Sequence, residues 1–288
     1  MPLRSAVVGE ALAPLTAHIT PRGALAFAAG IADDAEGAFD DTRPTFAASP
    51  MACVSLEWAL VIAARNALLG VTTTEARRAV HAGQDSRFLA PLRPGAEVSV
   101  GGQVLEVRRT GAGALSTTRL DVTDLASGAL ISTSLSTALY RGVAVEGEDR
   151  SIAPAPDPAP SASGCDVIET PIPLDRGFAH RYSECAAIWN PIHTERAVAR
   201  EAGLAETIVH GTALWALAGR ILIGRFAPDR PGRLTRLSGR FSAMVPAGTP
   251  IVVRHATAAG RADAAVFTVL NAQGREAVSQ GFATFAAP

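Results

Sequence analysis

The chain has 288 residues, 48% hydrophobic and 18% charged, enough for a substantial core in one large domain or two ordinary ones. With 26 Lys plus Arg against 27 Asp plus Glu the formal net charge is −1, which argues against a nucleic-acid binder. Cys53, Cys165 and Cys185 have no metal-ligand spacing and suit a reducing cytosol, so no metal or other cofactor is expected. No uninterrupted apolar run of about 18 residues and no basic leader followed by an apolar run stand in the sequence. The expectation is a cytoplasmic protein without a membrane span.

In chain order, the first half offers an apolar helix around Trp58, "SLEWALVIAARNALL", then strands near 97–109, 113–124 and 129–140. "SIAPAPDPAPSASG", residues 151–164, reads as an extended Pro/Ala-rich linker. In the second half residues 179–188 favour a helix, which Asn190-Pro191 stops, because proline pushes its predecessor out of the α region. His193 follows this turn. Thr194 opens a short helix that Gly203 can end. Ile208-Val209 leads to His210-Gly211, and Thr212–Arg225 is apolar almost all round, as a buried helix requires. Strands are expected near 233–242, 249–256, 264–271 and 276–286, from their alternating pattern.

The halves repeat one another. "FLAPLRPGAEVSV" from Phe88 matches "FSAMVPAGTPIVV" from Phe241, and the helix around Trp58 matches "TALWALAGRILIGRF" around Trp215. Self-similarity of this kind indicates a duplicated unit. The expected organisation is 1–148, a linker 149–165, and 166–288. Each unit is an α+β layer of buried helix and antiparallel sheet, and two sheets joined edge to edge make a pseudo-dimer within one chain.

Local chemistry marks one region. The first N–H groups of a helix lack internal partners and carry the positive end of its dipole. At Gly211 no side chain blocks a ligand atom from that N–H, so an oxyanion-type donor can sit beside His193. An ordinary loop histidine and a plain helix start are the competing reading.

Residues "YSECAAIWNPIHTE" followed by "IVHGTALWALAG" resemble the MaoC-like, R-specific enoyl-CoA hydratase family. Tyr182, Asn190, Pro191, His193, His210 and Gly211 stand in its pattern. The resemblance implies a double hot-dog fold, with the site in the C-terminal half and a degenerate N-terminal half. It also implies reversible addition of water to a 2-enoyl thioester on CoA or an acyl carrier. His193 would then be the acid/base and Gly211 the oxyanion donor. Asn190 would orient the loop, with Tyr182, Trp189 and His210 as the other substrate contacts.

One position departs from that pattern: its Gly-Asp falls on Ala187-Ile188, and isoleucine cannot exchange a proton. Glu184, one helical turn earlier, is the candidate surrogate, against a solvent-facing role. In the first half, "FAAGIADDAEGAFDD" laid on "YSECAAIWNPIHTER" puts Asp33 at the position of Ile188 and Ala38 at that of His193, which reads as a relic. Thioester hydrolysis and non-catalytic acyl-CoA binding are the alternative functions. Acyl-thioester substrates are the expected partners, without nucleic acid or membrane; association into a homodimer stays open.

Overall fold

The computed structural model describes residues 1–76, 78–155, 157, 161–162, 166–228 and 230–287. Of the predicted linker, residues 156, 158–160 and 163–165, with Cys165, lie outside the described residues. Ten strands form one antiparallel path: β1 (Ala11–His18), β2 (Ala79–Phe88), β3 (Glu97–Thr110), β4 (Gly113–Asp124), β5 (Leu130–Arg141), β6 (Ile168–Ile172), β7 (Leu234–Phe241), β8 (Ile251–Ala258), β9 (Arg261–Leu270) and β10 (Glu276–Phe285). Their spatial order is β1-β3-β4-β5-β2-β7-β10-β9-β8-β6. This order is palindromic about the β2–β7 pair, so the sheet is two copies of one five-stranded unit joined edge to edge. Inside the predicted linker, Arg150–Ser151 pairs with β3.

The seam is antiparallel, with Ser238 opposite Asp85 and Gly239 opposite Gln84. Across it Arg236 donates to Asp85 through Nε at 2.8 Å and Nη2 at 2.6 Å. A planar guanidinium matched to a carboxylate fixes geometry better than a single contact does.

Each half wraps its sheet around one helix. In the first half α2 (Cys53–Leu60) packs under β1, β3 and β4. It continues through a π-turn at Val61–Arg65 to Asn66–Leu69, where Gly70, at φ 73°, ends it. By length and hydropathy Pro50–Leu69 could cross a membrane; in this fold its first part packs against the sheet. In the second half α5 (Gly211–Phe226) lies under β7, β8, β9 and β10 and buries Thr212 through Gly219 on all sides.

Two further helices repeat the symmetry: α1 (Pro21–Gly30) packs on α3 (Phe178–Ala186). Each is ended by a left-handed alanine, Ala32 at φ 50° and Ala187 at φ 53°. Just past these, the Asp33 N–H reaches the Ala28 carbonyl at 2.9 Å and the Ile188 N–H reaches the Ser183 carbonyl at 3.0 Å. The pseudo-equivalent rings Phe27 and Tyr182 touch edge to face at 6.2 Å. The fold is the α+β double hot dog.

Candidate functional site

The sequence around His193 folds as a series of stops. α3 ends at Ala186, two residues before the predicted limit, because left-handed Ala187 turns the chain. Asn190 is extended, and its side chain accepts the Ile192 N–H at 3.4 Å. Pro191 then starts a single helical turn, Pro191–His193, ahead of the short helix α4 (Arg196–Glu201). Residues 207–209 run as an extended segment beside 245–247, with the Val209 N–H on the Val245 carbonyl at 2.8 Å. This segment carries the chain to α5, whose start has no side-chain cap.

His193 is fixed by one bond. Its Nδ1 lies 2.8 Å from the Ile208 carbonyl oxygen. A carbonyl only accepts, so Nδ1 carries the hydrogen and Nε2 keeps a free lone pair. Burial pushes the imidazole down to about 4, against the Ile208 bond, which raises it. His210 stacks on His193 with centroids 3.6 Å apart, and its Nε2 is 3.1 Å from the Ser183 hydroxyl. Burial, then the neighbouring His193, holds His210 well below its usual range. Both rings are therefore neutral at pH 7.

A cavity of about 430 Å³ opens between the halves. From the second half His193, His210, Gly211, Phe241, Ile188 and Asn190 line it. A Cβ on Gly211 would come within 2.7 Å of the Phe241 ring, so any side chain at this helix start must displace that ring. No backbone acceptor meets the Gly211 N–H among the described residues.

Two of the sequence-predicted site residues, Glu184 and Tyr182, stand elsewhere, as does Asp33, which the sequence reading took as a relic. Glu184 does not line this cavity: its carboxylate takes the Trp189 indole N–H at 3.2 Å and borders a separate depression with His180 and Glu195. The left-handed turn at Ala187 is the reason, because it carries Ile188 inward, to 4% exposure, and leaves the Glu184 face of α3 outside. The surrogate role for Glu184 is therefore corrected. Tyr182 is fully buried behind His210, with ring centroids 4.9 Å apart, and does not line the cavity. Asp33 caps the Ala35 N–H at 3.1 Å and does not line the cavity either. Trp189, 59% exposed, sits on the rim.

The sequence reading did not place any first-half polar group at the site, taking His81 as structural, yet Glu57, Arg65, His81 and Gln84 line the same cavity. Glu57 is 3% exposed; it accepts from Gln84 Nε2 at 3.0 Å and from the Ser134 hydroxyl. Burial raises its carboxyl to about 7, against those two hydrogen bonds. His81 packs edge to face on Phe241 at 5.0 Å; burial, then the Arg65 charge, lowers it to about 4. The available signal was a single charge, Glu57, inside the apolar run "VSLEWALVI". A lone carboxyl on a buried helix needs partners. The second half's arginines are mostly engaged: Arg236 on Asp85 and Asp157, Arg233 on the Ala286 carbonyl, Arg220 on the Ala32 carbonyl.

Two hot-dog halves around one cavity, with the histidine and the open helix start in one of them, define a double hot-dog protein with an asymmetric candidate site. Residues 166–273 match the family described as "MaoC like domain". Over 269 residues the chain is 26% identical to 3-hydroxyacyl-thioester dehydratase Y of Mycobacterium tuberculosis, covering 88% of each. The fold superposes on a MaoC-like dehydratase from Phytophthora capsici with TM-score 0.82 at 19% identity, covering 96% of each chain. It also superposes on the peroxisomal multifunctional enzyme type 2 of Drosophila melanogaster with TM-score 0.75 at 21% identity, covering 96% of this chain and 48% of that one. Residues 166–273 are thus a MaoC-like domain, and the chain is similar over most of its length to a 3-hydroxyacyl-thioester dehydratase.

Proposed function

We propose that the protein interconverts 3-hydroxyacyl and 2-enoyl thioesters, CoA being the carrier, by removing or adding water at this cavity. The observation that carries the reading is the pairing of a neutral, tautomer-fixed His193 with the open N–H of Gly211 on one cavity wall. In the dehydration direction the thioester oxygen accepts from the Gly211 N–H, which lowers the cost of the enolate as charge moves onto it. His193 Nε2 takes the proton from C2, the carbon beside that carbonyl. The C2–H pair becomes the C2–C3 π bond as the C3 hydroxyl leaves. Asn190 supports this by capping the turn that holds His193.

The leaving hydroxyl needs a proton, and Ile188 cannot give one where the family resemblance expects an aspartate. That substitution also favours a second reading, an acyl-thioester binding protein without turnover. A thioester hydrolase is a third.

Crotonyl-CoA separates them. Falling enoyl absorbance, with 3-hydroxybutyryl-CoA as product, is the expected result. Release of free thiol instead would make the protein a hydrolase, and binding with neither reaction would make it non-catalytic.

A further inference from the structure

We propose that Glu57, from the central helix of the first half, is the catalytic acid that faces His193 across the shared cavity and protonates the departing C3 hydroxyl. This inference rests on the dehydratase reading and supplies the group that Ile188 cannot.

Glu57 is the one carboxyl lining the cavity among the described residues. Its level along the helices is readable from the packing. The seam strands β2 and β7 are antiparallel and related by the repeat, so α2 and α5 pass each other in opposite directions. Gly219 of α5 packs on Met51, where an added Cβ would lie 3.1 Å from the sulfur. Moving from Met51 to Glu57 covers about 9 Å along one helix, and moving back from Gly219 to Ala213 covers about the same on the other. Glu57 is thus level with the first turn of α5, which Gly211 opens, and both residues line the cavity. Ile62, further along the first-half helix, and Ile208, just before α5, also line the cavity.

A thioester oxygen on Gly211 puts C2 nearest His193, which stacks on His210 at the same helix start. C3 is one bond further from that wall, toward Glu57. The Gln84 amide and the Ser134 hydroxyl aim the carboxyl from β2 and β5. Burial favours the neutral form of both His193 and Glu57. Neutral imidazole and protonated carboxyl are the states that dehydration consumes.

The step balances. His193 Nε2 gains the C2 proton and the C2–H pair passes through the enolate on Gly211. As C2=C3 forms, the C3–O bond breaks and its oxygen takes the Glu57 proton, leaving as water. The imidazolium then returns its proton to the carboxylate through that water. Hydration is the reverse.

The test uses the full-length protein with Glu57→Gln, Glu57→Asp and His193→Gln, 3-hydroxybutyryl-CoA and crotonyl-CoA as substrates, and C2 deuterium incorporation in heavy water. Glutamine can still accept from Gln84 Nε2 on its amide oxygen and donate its NH2 to the Ser134 oxygen in place of the bond it replaces, and thermal melting checks the fold. Expected for Glu57→Gln is a kcat lower by about 10²–10⁴ with KM within a few-fold and C2 exchange retained, whereas His193→Gln loses both. Glu57→Asp recovers part of the rate. Wild-type dehydration falls above pH about 7 as Glu57 ionises, among Cys53 of its own helix, Gln84, Ser134 and Asp121 of the sheet, and Glu57→Gln loses that limb. Full turnover in Glu57→Gln, or an unchanged upper limb, overturns the assignment while leaving the dehydratase reading intact. A wild-type protein inactive on both thioesters overturns both.

Discussion

His193 and His210 stack with ring centroids 3.6 Å apart and planes inclined by 25°. Two imidazolium rings at that separation repel strongly in a buried site, so both stay neutral. The His193 imidazole lies near 4 in the fold and near 6.5 in the unfolded chain, so the unfolded chain binds more protons between those values. This stability contribution is complete above pH 6.5 and is lost as pH falls through about 4. Imidazole NMR shifts across pH 4–8 should show His193 neutral at pH 5.5; a midpoint near 6.5 would contradict the packing.

Glu57 acts with the opposite sign. Its carboxyl is at about 7 in the fold and 4.5 unfolded, so the folded state holds the extra proton between them. Stability on this account is greatest below pH 4.5 and falls as pH rises to about 7. Glu57→Gln removes that slope and is more stable than wild type at pH 8, by on the order of 3 kcal/mol. Denaturant melts at pH 4 and pH 8 measure it; parallel shifts of both proteins at both pH values would count against a buried, proton-holding Glu57.

At Gly211 the constraint is space. A methyl group there meets the Phe241 ring at 2.7–3.0 Å, so Gly211→Ala overpacks the helix start by about 1–3 kcal/mol. Phe241→Leu in the same chain recovers part of the loss. Equal stabilities of the single and double variants would show that Phe241 is not the obstacle.

The seam depends on Asp85 and Arg236, whose side chains are 25% and 14% exposed. Asp85→Asn leaves a largely buried guanidinium short of its main partner, although Asp157 still reaches it. A loss of about 1–3 kcal/mol is expected, below the 3–5 kcal/mol of a fully buried pair. Urea denaturation checks it; a loss below about 0.5 kcal/mol would make the pair an ordinary surface contact.

Much of the fold was legible where strands alternate. The predicted 97–109, 113–124 and 129–140 are Glu97–Thr110, Gly113–Asp124 and Leu130–Arg141. The strand that joins the halves was not. Ala79–Phe88 carries His81, Gly83, Gln84, Asp85 and Ser86, a polar run without a strand pattern. Those residues serve the cavity on one side and the Arg236 seam on the other, so tertiary contacts rather than periodicity select them.

The site was half legible. His193 and Gly211 stand beside an Asn-Pro turn and a helix start, both local signals. Glu184 was misjudged because helical spacing was carried past Ala186, whereas the left-handed turn at Ala187 separates Ile188 from that helix face. Glu57 could not be joined to His193 from sequence, since only the antiparallel pairing of the two halves brings them to one cavity.

The most direct test is the rate of crotonyl-CoA hydration by wild type and His193→Gln at pH 6.5, with folding checked by thermal melting. Wild-type turnover with a loss of about 10²–10⁴ in the variant is the expected result. A His193→Gln protein that hydrates within a few-fold of wild type would contradict His193 as the acid/base at this site.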